Sequence, residues 1–419
     1  MKIKAFIREK MLQCLGYFQY LLFFSKNNKA RVFVYSVMPP ENTGMASFAL
    51  NIFNKREDFI VFSKHKYLLN YFNCLFSQKH FNKNVYPFEL EKLIEKRTDV
   101  QSKIFVIGNS SHHKYTLDKA IDTKGENNRY LYLGENYVMG FLIEYFKLNT
   151  IEKIKNFIYK YYQKNVDIEK QNIYESLTNA NIYGTKILSE ITGIKNFIVF
   201  SDNAIEFFKK DFLENEFADL NIKIAPVVIP SFNRKNNPQN TYENRDYIMV
   251  GSFGISQKNK STDDIVKAVN CMNAKGGKTK LLLAGYKVNN YIKALPENIT
   301  TEHIIAIENP NQNKLYELMA SVDVAVQLRS VSHGELSGCI SELLGLNKKV
   351  ITTKNFVPNS IKKFCVEVEP FIAPEALANV ISDELIRKNE LDFTQLNTLD
   401  FKNCAEKIYE MTIESGDKK

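Results

Sequence analysis

The stretch "LMASVDVAVQLRSVSHGELSGCISELLGLNKKVITT", residues 318–353, reads in order as a helix, a strand, a loop, a second helix and a second strand. The run 323–329 is short and β-branched, and KKVITT (348–353) is another of the same kind. Two such strands joined through a helix form a parallel βαβ unit. The loop between the first strand and its helix, SVSHGE (330–335), then lies at the strand's carboxyl end.

Ser337 is a natural N-cap for that helix, with Gly338, Cys339 and Ile340 as its first turn. The free N–H groups of a first turn suit an anion such as a diphosphate. On a helical wheel Cys339, Ile340, Leu343, Leu344 and Leu346 share a core side, while Gly338, Ser341, Glu342 and Gly345 share a small, approachable one. Glu342 follows the cap by about 7.5 Å along the axis, a distance suited to ribose hydroxyls when a diphosphate sits at the helix start. Glu335, in the loop, would lie nearer a transferred group. The plainer alternative makes Glu335 a capping-region residue and Glu342 a solvated one.

Outward from this unit the same alternation covers most of the chain. Strand candidates are 31–37, 59–63, 103–108, 130–134 and 197–201, then 247–252, 280–285 and 303–308. Alternation of this kind is the pattern of doubly wound α/β domains. A candidate membrane-interface helix fills 1–30. A Rossmann-like domain then spans 31–226 with a helical insertion at 141–190, and a proline-bracketed polar linker follows at 227–246. A second Rossmann-like domain covers 247–395, and a terminal helix 396–419. Ligands of such folds bind at the carboxyl ends of parallel strands, here expected in a cleft between the domains.

In VGSFGISQKNKSTDDI (250–265), amides near Gly251 and Gly254 with the ammonium of Lys258 or Lys260 form a second candidate phosphate site. Neither the dinucleotide fingerprint GxGxxG nor the P-loop GxxxxGK[ST] occurs, so redox and NTPase readings lose their usual anchors.

With 419 residues, 44% hydrophobic and 25% charged, the chain suits a globular protein of two or three domains. The net charge of +9 favours an anionic partner without choosing one. Six scattered cysteines lack a CxxC pair, which disfavours zinc and disulfide frameworks and suits a reducing cytoplasm. Absent Trp beside abundant Lys, Asn and Ile fits an AT-rich bacterial genome. Lys2, Lys4, Arg8 and Lys10 precede MLQCLGYFQYLLFF (11–24), which is too short to span a bilayer. It reads either as a helix at an anionic membrane interface or as one packed on the protein itself. The basic aromatic segment 146–165 carries the same two alternatives. No zinc-knuckle spacing, RNP-like motif or dense basic stripe supports nucleic-acid binding.

The order of a VG-F-G turn with a downstream Lys, an LLLAG strand and the 318–353 stretch resembles the retaining nucleotide-sugar glycosyltransferases of the GT-B fold. The nearer likeness is to the bacterial family-4 branch, through Leu328, Arg329, Gly334, Glu335, Leu336, Ser337, Gly338, Glu342 and Leu343. In the first domain, PPENTGMASF (39–48) with Gly44 resembles the strand-to-helix loop near the family's donor and acceptor sites. IGNSSHHKY (107–115) resembles its GNS-x-x-H element, giving Asn109 and His113, and Glu135 stands for its acid. Ser252 stands where the family's Arg follows a glycine, and Gly134 where a His precedes the acid.

The resemblance implies a hexosyltransferase-like enzyme transferring a sugar with retention from a nucleotide-sugar donor to a glycan or lipid-linked acceptor. No DxD motif is visible, so no metal is expected, and no cofactor, the nucleotide sugar being a substrate. It implies Glu335, His113 and Glu135 as catalytic residues. Gly251, Gly254, Lys258, Lys260, Arg329, Ser337, Gly338 and Glu342 would bind the donor, with Gly44 and Asn109 on the acceptor loops. The expected setting is surface polysaccharide or lipopolysaccharide synthesis, cytoplasmic and peripheral on the inner face of the cell membrane. A satisfied core histidine remains the alternative for His113. For the whole chain the alternative is a catalytically inactive GT-B scaffold subunit of a glycan-assembly complex.

Overall fold

The computed structural model describes residues 2–21, 31–39, 41, 44–65, 68–75, 84–232, 245–297, 299–331, 333–335, 337–387 and 392–413. The chain divides into two compact units, 1–226 with 401–419, and 227–400. Each holds one parallel sheet.

In the first unit the strands are β1 (Val32–Tyr35), β2 (Phe59–Ser63), β3 (Val85–Pro87), β4 (Ser102–Ile107), β5 (Arg129–Leu133), β6 (Asn196–Val199) and β7 (Asn221–Ile224). Among the described residues they lie in the order β3-β2-β1-β4-β5-β6-β7. The second unit has β8 (Ile248–Phe253), β9 (Thr279–Gly285), β10 (Ile304–Glu308), β11 (Val324–Gln327), β12 (Val350–Thr353) and β13 (Cys365–Val368), in the order β10-β9-β8-β11-β12-β13. All pairings are parallel in both sheets. The central strands are buried along their whole length, as sheets covered by helices on both faces require. Each order reverses beside its first strand, between β1 and β4 and between β8 and β11. Those two switch points are where such sheets bind ligands.

Several elements go beyond the sequence reading. β3, β7 and β13 are short, outlying strands with no strong pattern of their own. Val227 and Ile229, assigned to the linker, pack in the core of the second unit, and Ile229 N–H donates to Leu399 O at 2.6 Å. The middle of that linker, 233–244, lies outside the described residues. The helix Phe401–Ile413 returns to the first unit. There Glu406 pairs with Arg56 at 2.6 Å, Arg56 covers the Tyr409 ring at 4.2 Å, and Cys404 and Ile408 are buried.

The 141–190 insertion becomes four helices, Met139–Tyr145, Ile151–Tyr162, Ile173–Asn179 and Thr185–Thr192. Ile154, Ile158 and Tyr162 join the first core, so the apolar face of the basic aromatic segment belongs to the protein itself. Asp211 ties the insertion down. Its carboxylate accepts from Tyr162 Oη at 2.7 Å, Thr185 Oγ1 at 2.6 Å, Tyr183 N at 2.8 Å and Lys186 N at 2.9 Å.

The N-terminal helix Lys2–Gln19 is half covered. Leu12 and Gly16 are buried, and a Cβ on Gly16 would stand 2.3 Å from Leu90 Cδ1. Gln19 donates to Val85 O at 3.0 Å. The other side presents Met11 and Phe18, 48% and 62% exposed, and Leu21, just past the helix end, is 41% exposed. Among the described residues no helix is long and apolar enough to cross a membrane.

Candidate functional site

At the switch point of the second sheet, β11 ends and the helix Gly338–Gly345 begins with Ser337 as its N-cap, its Oγ accepting from Ile340 N at 3.4 Å. Gly338 is exposed and a Cβ there would meet nothing within 4 Å. The loop before it is tied internally. Glu335 Oε2 accepts from His333 N at 2.6 Å, and Oε1 stands 3.9 Å from Arg329 Nε. The Arg329 guanidinium lies over the Phe356 ring at 5.1 Å, while its amide donates to Thr353 Oγ1 at 2.8 Å.

The turn after β8 brings Lys260 to the same place. A Cβ built on Gly254 would stand 2.9 Å from Lys260 Nζ and 3.5 Å from Cys339 Sγ, so the ammonium lies over Gly254 beside the start of the helix. Burial, and then the neighbouring Arg329, push its pKa down to about 8. Among the described residues it has no carboxylate or hydrogen-bond partner, unlike Lys103 or Lys186. A half-buried cation left uncompensated is costly unless an anion arrives. The side chain of Lys258 lies outside the described residues.

The glycines expected to bind a phosphate have other work. Gly251 sits inside the ladder between β9 and β11, where a Cβ would come within 2.5 Å of Val322. Gly254 has φ +96° and its amide donates to Ala284 O at 2.9 Å. Against it lies Gly285, where a Cβ would strike Gly254 O at 1.9 Å. These residues let two strand ends approach closely; their amides are spent inside the sheet. The charge left for an anion is Lys260 and the helix start.

Glu342 is set deeper than the wheel suggested. Burial pushes its carboxyl up to about 7, against a bond from Tyr316 Oη at 3.3 Å that favours the carboxylate. Tyr316, from the helix Gln312–Ser321, accepts in turn from Gln312 Nε2 at 2.7 Å and meets Phe232 ring to ring at 4.9 Å. The supposedly open side of the helix is partly closed: Ser341 is buried, and a Cβ on Gly345 would lie 2.2 Å from Pro230 O. A segment distant in sequence, 230–232, supplies that cover.

In the first unit His113, Asn109 and Glu135 gather at the carboxyl ends of β4 and β5. Glu135 Oε1 accepts from Asn109 N at 3.1 Å, and Asn109 Oδ1 from Phe141 N at 2.7 Å, anchoring the helix Met139–Tyr145. His113, 1% exposed, lies 3.0 Å from Val106 O through Nδ1, and burial holds its pKa at about 4. The ring is neutral with its proton on Nδ1, leaving Nε2 an acceptor beside Gly108. Gly44 opens the helix Gly44–Phe53. The next residue, Met45, fills the room a side chain at Gly134 would take, since a Cβ there would fall 2.3 Å from Met45 Sδ. Among the described residues no three His, Cys, Asp or Glu side chains are grouped to hold a metal ion.

The sequence reading missed Tyr316, whose helical position gave no signal, and Met45. It also missed a cleft of about 470 Å³ at the switch point of the first sheet.

No protein-family model and no curated protein sequence matches the chain. Solved structures do match along nearly all of it. The Anabaena protein HepE, in complex with UDP-glucose, superposes with TM-score 0.51 at 14% identity, covering 92% of this chain and 98% of its own. A trehalose-6-phosphate synthase studied with bisubstrate glycomimetics gives 0.56 at 10%, covering 92% and 99%. The UDP-forming α,α-trehalose-phosphate synthase of Burkholderia xenovorans, with glucose-6-phosphate bound, gives 0.53 at 9%, covering 91% and 99%. This chain has the GT-B fold. At such identities the likeness carries the fold of both Rossmann-like units and nothing finer.

Proposed function

We propose that the chain is a glycosyltransferase of the family-4 kind, moving a hexose from a nucleotide-sugar donor to a glycan or lipid-linked acceptor with retention and without a metal or cofactor. The observation that carries this reading is the Lys260 ammonium, without a carboxylate partner among the described residues, beside the start of the helix Gly338–Gly345, with the half-buried Glu342 one turn further on. A diphosphate would neutralise Lys260 and take the helix-start amides, and Glu342 would receive ribose hydroxyls. As the bond to the sugar breaks, negative charge grows on the leaving diphosphate where that cation waits. Arg329 and Glu335 hold the loop that would face the donor sugar. His113, being neutral, accepts a hydrogen bond and orients a hydroxyl; a base of pKa about 4 removes few protons near pH 7. HepE, crystallised with UDP-glucose, and the UDP-forming trehalose-phosphate synthase support a uridine diphosphate sugar as the first donor to try.

The proposed setting is surface polysaccharide synthesis at the inner face of a bacterial cell membrane. The exposed residues Met11, Phe18 and Leu21 support it, and in the sequence the basic residues Lys2, Lys4, Arg8 and Lys10 precede or adjoin them. A second reading, a non-catalytic GT-B scaffold, draws on Ser252 and on Met45 filling the space at Gly134.

Thermal stabilisation by UDP-, GDP- and CMP-sugars tests the reading, with wild type set beside Lys260→Ala. A shift of several degrees for one nucleotide class, lost in the variant, is expected. No shift with any of them gives the scaffold reading the stronger case.

A further inference from the structure

A cavity of about 400 Å³, a size suited to a small molecule, lies at the other edge of the first sheet, where β4 and β5 begin. Its polar wall includes Glu95, Gln101, Ser102, Lys103 and Glu126, and its apolar wall Val100 and Ile413. Because β4 runs from Ser102 to Ile107, about 17 Å of strand separates this edge from the carboxyl end. The sequence reading assigned none of these residues.

The wall is short of cations. Lys103 Nζ lies 2.7 Å from Glu95 Oε1 and 2.7 Å from Glu126 Oε2. Burial works against that ammonium, but its bonds to Glu126 and Glu95 outweigh it and the pKa is raised. One cation thus serves two neighbouring anions. The second oxygen of each carboxylate, Glu95 Oε2 and Glu126 Oε1, has no partner among the described residues. Arg129 does not line the cavity; its guanidinium is bonded to the carbonyl oxygens of Glu126, Ala120 and Thr192.

A second observation points to a ligand. Ser102 is 2% exposed, lines the cavity, and its Oγ has no hydrogen-bond partner; nor has the buried Gln101 Oε1 on the same wall. A buried polar atom left unpaired costs stability, which a ligand bonded to it returns. Two carboxylate oxygens and an amide oxygen are acceptors only, and a serine hydroxyl can accept as well. Such a wall asks for donors.

Charge narrows the class. An anion would meet two carboxylates against one ammonium, and a metal ion would have to displace Lys103 to reach both acids. An alkyl ammonium needs neither. Its N–H groups meet the unused oxygens, and its charge completes an alternating set of two cations and two anions. Its methylenes can lie on Val100 and Ile413, as the stems of long cationic side chains do on apolar surface.

We propose that this cavity binds a primary ammonium group on an aliphatic stem, held between Glu95 and Glu126 with Gln101 Oε1 and Ser102 Oγ as further acceptors. The inference does not rest on the transfer reading.

A net charge of +9 gives a free cation no general attraction to the chain, so amine binding reports a built site. Saturation-transfer NMR on the full chain, read at the methylene protons of putrescine, cadaverine and butylamine, tests it. Butanediol, uncharged, and tetramethylammonium, charged but without N–H donors, are the controls. At least one amine is expected to bind, with affinity falling about tenfold in Glu95→Gln and in Glu126→Gln. Ser102→Ala should weaken binding while leaving the melting temperature unchanged or higher, a split that a purely structural serine would not give. Calorimetry on all three variants checks that they fold. Nα-acetyl-lysinamide joins the panel to separate a free amine from a protein's lysine side chain, and the tighter binder names the source. The inference is overturned if no amine binds, if either control binds as tightly as the amines, or if both glutamate variants bind as wild type does.

Discussion

Replacing Glu342 with glutamine is expected to move stability and donor binding in opposite directions. The carboxyl is raised from 4.5 to about 7 by burial. The folded chain therefore holds its proton more tightly than the unfolded chain does. Stability falls as pH rises from about 4.5 to 7, and above 7 the full penalty of a buried carboxylate is present. At about 1.36 kcal/mol for each tenfold change in proton affinity, that penalty is on the order of 3 kcal/mol. Glutamine keeps the shape and an acceptor for Tyr316 Oη while removing the charge. For a unit of this size, about 3 kcal/mol corresponds to about 6–12 °C in melting temperature, which sets the ceiling. The chain has no Trp, so calorimetry across pH 5–8.5 is the suitable assay. At pH 8 the variant should melt several degrees above wild type, and at pH 5 the two should nearly coincide. The same variant should lose its stabilisation by nucleotide sugars. Parallel melting curves across the pH range, or a variant less stable at pH 8, would refute the reasoning.

Lys260→Met should leave the second unit as stable as wild type or more so, because an uncompensated cation is removed, while nucleotide-sugar stabilisation disappears; thermal shift reads both. Asp211→Ala strands four buried donors and should cost about 3 kcal/mol or more, seen as a lower melting temperature for the first unit. Gly285→Ala drives a Cβ into Gly254 O at a φ of +152° and should destabilise the second unit by about 2–4 kcal/mol in calorimetry. Phe18→Asp should abolish flotation with anionic vesicles without changing the melting temperature, since the side chain is exposed; unchanged flotation would remove that helix face from the membrane reading.

Local pattern made most of the fold legible. The central strands announced themselves as apolar runs because they are covered on both faces, and Ser337 announced a helix start because a cap is chosen by its next three residues. β7 and β13, half-exposed, and β3, ending in a proline, carry less of that signal. The site was legible in part for the same reason. Lys260, Glu342 and His113 could be named, but the ammonium lowered to about 8, the carboxyl raised to about 7 and the neutral imidazole are properties of what surrounds them.

The sequence by itself determined that two α/β units follow one another and which loops stand at the carboxyl ends of their strands, because helix and strand periods are set within a few residues. Only the tertiary structure decided which of those loops converge. Strand order, and with it the two switch points, arises from contacts between segments far apart in the chain. Met45 over Gly134, Pro230 over Gly345, and Ser102 in one cavity with Ile413 are all meetings of that kind. Burial and compensation of charge follow from them, so the chemistry of the site had to wait for the fold.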